Sequence, residues 1–500
     1  MRILPLLPAA AIVFLAVQPS QATIISVDAL GGGDYLTIQE GIDAASEGDT
    51  VLVAPATYAE TVALRGLNIA LLSEEGASAT RIDPGRLTAT SGEDSTTVID
   101  GFTIANGPSQ DGSCVFLDES GPSIRNCVIE GGGASRGAGA YCEGKPRPTF
   151  QNVVIRDCSG ASGVGAYLLD SYAVFQDCEI RDCARGAFGG AVRADGGGPT
   201  FERVIMEGMT TLGAYPDRGE VIFLGDSNAR FVDVFIHPAS DDFRHSSVVE
   251  CCGGIVEFDG VTLYTDDDPS HGTPGFVARD GASLSIVSAT IVNDDPCVWY
   301  EAGTTGTIER SVLVRVGGGR AVECLTPGPS AEIFHSCLVD TGCGDAHDNI
   351  YTDPLFCGLL TADFTLHDDS PCLPAGNPWG VLMGHYGAGG CGTGVGESGE
   401  VGHGFALLPA VPNPASGPVE LRYAAADAGS MVAVTIHDVR GSVVRRLSGA
   451  ATEATGSVRW DLCNALGHRV APGVYFVRAS CGLATTHRTL VVLRRPRLAD

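Results

Sequence analysis

The best local candidate for chemistry is Tyr264-Thr265-Asp266-Asp267-Asp268-Pro269-Ser270-His271-Gly272. Carboxylates held near one another can do two kinds of work. A pair flanking a sugar bond serves as acid and base, and a cluster holds a hard cation such as calcium. Asp266, Asp267, Asp268 and His271 are therefore the candidate site residues, with a solvated acidic turn as the competing explanation. Asp241-Asp242, Asp294-Asp295 and Asp345 read the same way. No loop has the ligand spacing of a known calcium site, so calcium is allowed as a cofactor but no motif requires it. His237 and His335 stand alone and read as structural.

What would position such loops is a repeat. RNCVIE (125–130), QNVVIRDC (151–158) and QDCEIRDC (176–183) each carry Asn or Asp three residues ahead of an isoleucine. The equivalent positions run Ile104, Ile129, Ile155, Ile180, Met206, Ile236, Leu263, Ile291, Leu313 and Leu338. A second apolar column lies five residues earlier, from Ile99 and Ile124 through Phe150, Phe175, Phe201, Phe231 and Phe258 to Ile286, Ile308 and Ile333. A third strand recurs as Val115-Phe116, Ala140-Tyr141, Ala166-Tyr167, Ala191-Val192 and Ala321-Val322. A period near 25 residues with three short strands predicts a parallel β-helix solenoid, each coil burying its face against the next.

Between the two apolar columns stand Asn126, Asn152, Asp177 and Asp233, with Gly101 and Gly260 in other coils and Arg203, Ser288, Arg310 and His335 interrupting. Gly, Asn and Asp tolerate a left-handed backbone, so this column predicts a polar turn ladder, not a catalytic row. Cys158 and Cys183 each follow the marker isoleucine by three residues. Adjacent rungs place their α-carbons about 5 Å apart, which predicts a disulfide. Cys127 and Cys178 share a column two rungs apart, too far to bond.

Composition bounds the rest. The formal charge is −29, and Lys145 is the only lysine. That balance argues against nucleic acid, and against anionic lipid or anionic polysaccharide unless a cation mediates. Arg2, an apolar run from Ile3 to Val17 and Ser20-Gln21-Ala22 predict a signal peptide over 1–22, too short for a transmembrane span, and a secreted or cell-surface destination. Export makes the 17 cysteines readable as disulfide partners. Thr37 and Glu40 form a capping box for a short helix, with Gly48 as its stop. The organisation expected is a β-helix with its N-terminal cap over 23–391, a linker over 392–404, an antiparallel β-sandwich over 405–494 and a tail over 495–500.

Three stretches resemble known families. Thr37, Ile38, Gln39, Ala45, Gly48, Asp49, Thr50, Val51, Val53, Thr57, Tyr58, Glu60 and Val62 carry the pattern of the N-terminal cap in secreted right-handed parallel β-helix proteins of the pectin-lyase-like superfamily. Asp353, Pro354, Phe356, Cys357, Asp363, Phe364, Leu366, Ser370, Pro371, Cys372 and Gly376 resemble the closing coil of secreted bacterial β-helix proteins, with Cys357, Cys372 and Cys391 able to staple that end. Pro412-Asn413-Pro414, Asp438-Val439-Arg440-Gly441, Trp460-Asp461, Gly467 and Gly473-Val474-Tyr475-Phe476 resemble the Ig-like module of flagellar hook-capping proteins and of type IX secretion sorting domains.

These resemblances imply export and surface attachment. In pectin-degrading relatives the acidic pair and the His-Gly come from separate coils; here they share one loop, and the flanking motifs are absent. Two functions stay open. One is a non-enzymatic scaffold binding polysaccharide or another cell-envelope component. The other is a polysaccharide lyase or glycoside hydrolase. No acidic pair is legible in register with aromatics on neighbouring coils, which favours the scaffold. Oligomeric state is not readable.

Overall fold

The computed structural model describes residues 22–391 and 406–492, apart from 212–220, 239–246, 266–272, 317–318, 326–329, 339–340, 342, 344, 359–361, 390, 408–414, 416–417, 425–430, 438–442, 451–454, 465–468, 471–472 and 482–483. The signal-peptide and linker expectations, and the candidate residues Asp266, Asp267, Asp268 and His271, lie outside the described residues. The chain divides into two compact units, Met1–Thr352 with Met383–His385, and Asp353–Leu382 with Tyr386–Asp500. The solenoid unit thus ends near Thr352, ahead of the expected 391. The reason is local: from there Phe356–Gly358 and Asp363–Leu366 pair antiparallel, which a parallel stack cannot continue.

The first unit is a parallel β-solenoid of three long sheets. Sheet A has 14 strands, from Ile24–Val27 to Asp345–His347. Sheet B has 12, from Thr57–Tyr58 to Cys337–Leu338, and sheet C has 11, from Thr61–Ala63 to Val322–Cys324. Ile129 pairs with Ile104 and Ile155, and Ile155 with Ile180, so the marker residues stack rung on rung in sheet B. In sheet A the second column stacks phenylalanines. Ring centroids of Phe150, Phe175, Phe201, Phe231 and Phe258 follow one another at 4.5, 5.0, 4.7 and 4.4 Å, with planes within 8°. All five rings are essentially inaccessible to solvent.

The helix Ile38–Ala44 covers the first rung. Its capping box forms as the sequence implies, Thr37 accepting from the Glu40 amide and Glu40 from the Thr37 amide. Glu60 adds a second anchor, accepting from the Ile38 and Gln39 amides at 2.8 and 2.9 Å. The helix stops one residue before its C-cap Ala45, not at Gly48, which sits in the following turn at φ 85°.

Cys158 and Cys183 are not disulfide-bonded here; both are buried thiols. Parallel strands keep side chains in one column about 4.8 Å apart, wider than the ~3.8 Å between β-carbons that a disulfide needs. Cys127 and Cys178, two rungs apart with Val153 between them, are buried thiols as well. Burial pushes Cys114, Cys127 and Cys178 up to about 12, so these cysteines act as small apolar filler. Among the described residues the disulfides join Cys324, at the end of the last sheet C strand, to Cys343, and Cys357 to Cys391. Such bonds fit an extracellular protein.

In the second unit, residues 406–492 form two antiparallel sheets of three and four strands. They enclose a core of Tyr423, Val434, Ile436, Trp460 and Leu490. Trp460 donates its indole N–H to the Cys463 carbonyl at 2.9 Å.

Candidate binding face

The left-handed column between sheets A and B is continuous. Gly101, Asn126, Asn152, Asp177, Arg203, Asp233, Gly260, Ser288, Arg310 and His335 all have φ between 48° and 84°. Asn126 donates to Asp100 and Asn152 to Asn126, each at 2.8 Å, and Arg203 grips Asp177 at 2.6 and 3.0 Å. The hydrogen bonds from Arg203 hold the Asp177 carboxyl below its usual range. At Gly260 the missing side chain leaves room for a residue from far along the chain. His385 lies so close that a β-carbon there would sit 3.0 Å from its Nδ1, and its amide donates to Thr290 Oγ1 at 3.0 Å. Burial pushes the His385 imidazole down, against the pull of Asp233 and Asp259. Two further left-handed columns, seen at Asn106, Asp157 and Asp182 and at Glu119, Asp170, Asp226 and Asp280, turn the chain at the other corners. These groups face one another and serve the turns.

Chemistry concentrates elsewhere, on the outer face of sheet C. Alternation sends Val115, Ala140, Ala166, Val192, Ile222 and Val249 inward, so the residue after each points out. One outer column therefore reads Phe116, Tyr141, Tyr167, Arg193, Phe223, Glu250, Val277, Trp299 and Glu323. The next reads Asp118, Glu143, Leu169, Asp195, Gly225, Cys252 and Arg279. Phe116, Tyr141 and Tyr167 stack with centroids 5.3 and 5.4 Å apart. Guanidinium groups roof them: Arg86 over Phe116 at 4.7 Å, Arg136 over Tyr141 at 5.4 Å and Tyr167 at 5.5 Å, and Arg193 between Tyr167 at 5.4 Å and Phe223 at 5.1 Å.

Glu143, Asp195 and Glu250 on this face have protein partners. Tyr167 donates to Asp195 at 2.6 Å, as does Arg193 at 2.9 Å, and Tyr141 donates to Glu143 at 3.1 Å. Burial, and then the bonded carboxylate, pushes both tyrosines above their usual range. Glu250 is 1% exposed and accepts from Ser247 at 3.3 Å, with Arg279 3.6 Å away. Asp195 and Glu250 sit on strands two rungs apart and in neighbouring columns, roughly 12 Å between α-carbons. Gly225, which follows Asp195 in its column, leaves a gap there; a β-carbon would lie 2.9 Å from the Asp195 carboxylate.

Acidic groups do therefore stand in register with aromatics on neighbouring coils, contrary to the expectation from the sequence. The cause is one residue of alignment. Ala166 pairs with Val192, not with Ala191, which brings Arg193 opposite Tyr167 and Asp195 onto the outer face. The alternation Val192-Arg193-Ala194-Asp195 agrees with that register, and the shift follows an irregularity in the preceding strand, where Ala184–Phe188 pairs out of step with Ser159–Ser162.

The loop holding Asp266, Asp267, Asp268 and His271 can be described only at its base. Asn293, buried on the next coil, accepts from Thr265 Oγ1 at 2.7 Å and donates to the Thr273 carbonyl at 2.8 Å, clamping both ends. Asn293→Ala removes both of these hydrogen bonds and is expected to cost about 2–3 kcal/mol. Thermal melting checks the loss, and limited proteolysis should show faster cleavage between 265 and 273. Of the other acidic pairs, Asp295 is bound to Arg315 at 3.3 Å. Among the described residues no group of three or more His, Cys, Asp or Glu could hold a metal ion, and no helix is long and apolar enough to cross a membrane.

Residues 88–228 match the family described as right handed beta helix region. No curated protein matches the chain. Among solved structures, dimeric latent PorU from Porphyromonas gingivalis is 21% identical over 20% of this chain and 10% of its own, with a TM-score of 0.18. PorZ, an essential surface component of the type-IX secretion system of the same bacterium, is 27% identical over 17% and 11%, with a TM-score of 0.14. The chain thus spans about a tenth of each of those proteins. Pectin methylesterase from carrot is 14% identical over 62% of this chain and 89% of its own, with a TM-score of 0.31.

Proposed function

We propose that this right-handed β-helix is an exported, non-enzymatic scaffold whose sheet C face binds glycan or another cell-envelope component. Its C-terminal, Ig-like module serves secretion or surface attachment. The observation that carries the reading is the accessible part of the sheet C face, Phe116, Arg136, Arg193 and Trp299; Tyr141, Tyr167 and Phe223 are buried behind the guanidinium groups and support it. Flat apolar faces alternating with fixed donors suit polyhydroxylated polymers, whose surfaces are apolar on one side and hydrogen-bonding at the edge. The carboxylates that could do acid–base work are held by Tyr141, Tyr167, Arg193 and Arg279.

A glycan array with the mature protein, with and without calcium, tests this. Retention of a polysaccharide is expected, and Phe116→Ala and Trp299→Ala should each weaken it about tenfold, equivalent to ~1.4 kcal/mol. Absence of any retained glycan or envelope polymer would sink the proposal. One arrangement favours a second reading, a carbohydrate-active enzyme: Asp195 beside the gap at Gly225, and Glu250 in the neighbouring column on the following strand. A reducing-sugar release assay separates the two. Turnover that disappears in Asp195→Asn and Glu250→Gln would establish the enzyme and remove the scaffold.

A further inference from the structure

The formal charge of −29 is distributed unevenly. Residues 406–500 hold eleven arginines against six acidic residues, a charge of +5, and the chain before them carries −34. Part of that excess is gathered on one surface. In the four-stranded sheet, Val432, Val434 and Ile436 point into the core, so Ala433 and Thr435 point out. Thr435 pairs with Arg446 on one side and Arg478 on the other, and Arg478 with His487, so these four lie in one row across the sheet. The adjacent row is Ser448, Ala433, Ser480 and Thr485. Arg446, Ser448, Ala433 and Arg478 are exposed. Neither row contains a carboxylate. The three-stranded sheet differs, because there Glu420 pairs with Arg459 across the strands.

We infer that the Arg446–Arg478 face of the C-terminal module docks on an anionic lipid surface through its phosphate headgroups. Guanidinium forks bind phosphate oxygens bidentately, hydroxyl groups add donors, and a flat sheet offers several such contacts at once. At physiological salt exposed charges more than about 8 Å apart are largely screened, so the local charge of this face weighs more than the net charge of the chain. A second copy of this chain fits less well: it brings −29 of its own, and solenoid carboxylates such as Glu130 and Asp177 are already bound to arginines. The inference rests on reading the module as an attachment device, and it is independent of whether sheet C binds glycan.

The test is co-sedimentation of the mature full-length protein with vesicles of phosphatidylcholine alone or with 30% phosphatidylglycerol, a fraction set by the experimenter at roughly the anionic content that gives a strong surface potential. Binding to the anionic vesicles only is expected, weakening as salt rises. At about fivefold per basic residue, Arg446→Gln with Arg478→Gln should weaken it about 25-fold. Arg459→Gln, on the other sheet, should leave it unchanged. Circular dichroism confirms that the variants fold, and Arg446→Lys with Arg478→Lys, which keeps the charge, should retain most binding if the double glutamine variant does not fold. Equal binding to both vesicle types, or an unaffected double glutamine variant, overturns the inference. So does displacement by millimolar inorganic phosphate, which would mark a site for the free ion. Salt-sensitive self-association without vesicle binding would make the occupant a second copy. Loss of vesicle binding with glycan retention intact would refute this inference and leave the sheet C reading standing.

Discussion

Phe201→Ala is expected to destabilise the solenoid by about 4–5 kcal/mol, the upper range for deleting a buried ring. Phe201 lies mid-column with its centroid 5.0 Å from Phe175 and 4.7 Å from Phe231, and no part of it reaches solvent. The substitution removes the transfer energy of the ring, leaves a cavity that rigid neighbouring rungs cannot close, and breaks two stacking contacts of about 1 kcal/mol each. Because each coil touches only its neighbours, the damage should be local before it is global. Hydrogen exchange should therefore accelerate first in the strands Thr200–Glu202 and Arg230–Val232, with chemical denaturation reporting the total. Uniform acceleration along the whole stack would contradict that picture. Phe175→Ala and Phe231→Ala should be similar but not additive with Phe201→Ala, since the rings share contacts.

The second large effect concerns Glu93. Its side chain is 1% exposed and ties three turns together, accepting from the Gly66 amide at 2.7 Å, the Ser91 amide at 2.9 Å and the Ser120 hydroxyl at 2.7 Å. Burial alone would raise its pKa, but these donors outweigh burial and hold the carboxyl below the ordinary glutamate value of 4.5. Glu93→Gln turns one acceptor into a donor facing donors, and should cost about 2–4 kcal/mol at neutral pH. The pH dependence has a definite sign. A carboxyl whose pKa is lower in the folded state stabilises fully above its unfolded value and loses that contribution as pH falls through the folded one. The gap between wild type and Glu93→Gln should therefore be constant above about pH 5.5 and narrow below 4.5, toward acid. Melting curves of both proteins across pH 3 to 7, a range chosen to span about two units around the glutamate value, measure it. A gap that widens on acidification would refute the assignment.

The stack itself was legible. Ile129, Ile155 and Ile180 do lie one above another, and the phenylalanine column is continuous, because a solenoid writes its repeat directly as recurring residue type at a fixed interval. The capping box was equally local, needing only Thr37 and Glu40. What escaped depended on non-local register. Taking Ala191 as the partner of Ala166 turned the third strand over by one residue and hid Arg193 and Asp195 from the outer face. The cysteines misled for a related reason. Sharing a column fixes spacing along the stack but leaves side chains parallel, so Cys158 and Cys183 lie near one another without bonding. The antiparallel strands after Thr352 were placed in the solenoid because their composition matches a coil, whereas direction of pairing is not a composition property.

The one-on-one registration of Ile129, Ile155 and Ile180 also makes this molecule adjustable in length. Excising residues 130–155 would set Ile129 directly before Arg156, and the remaining coils would meet with both apolar columns unbroken. Duplicating the same stretch would extend the stack by one rung, about 4.8 Å. A protein built this way can be tuned as a spacer by whole-coil gain or loss, with no redesign of either end.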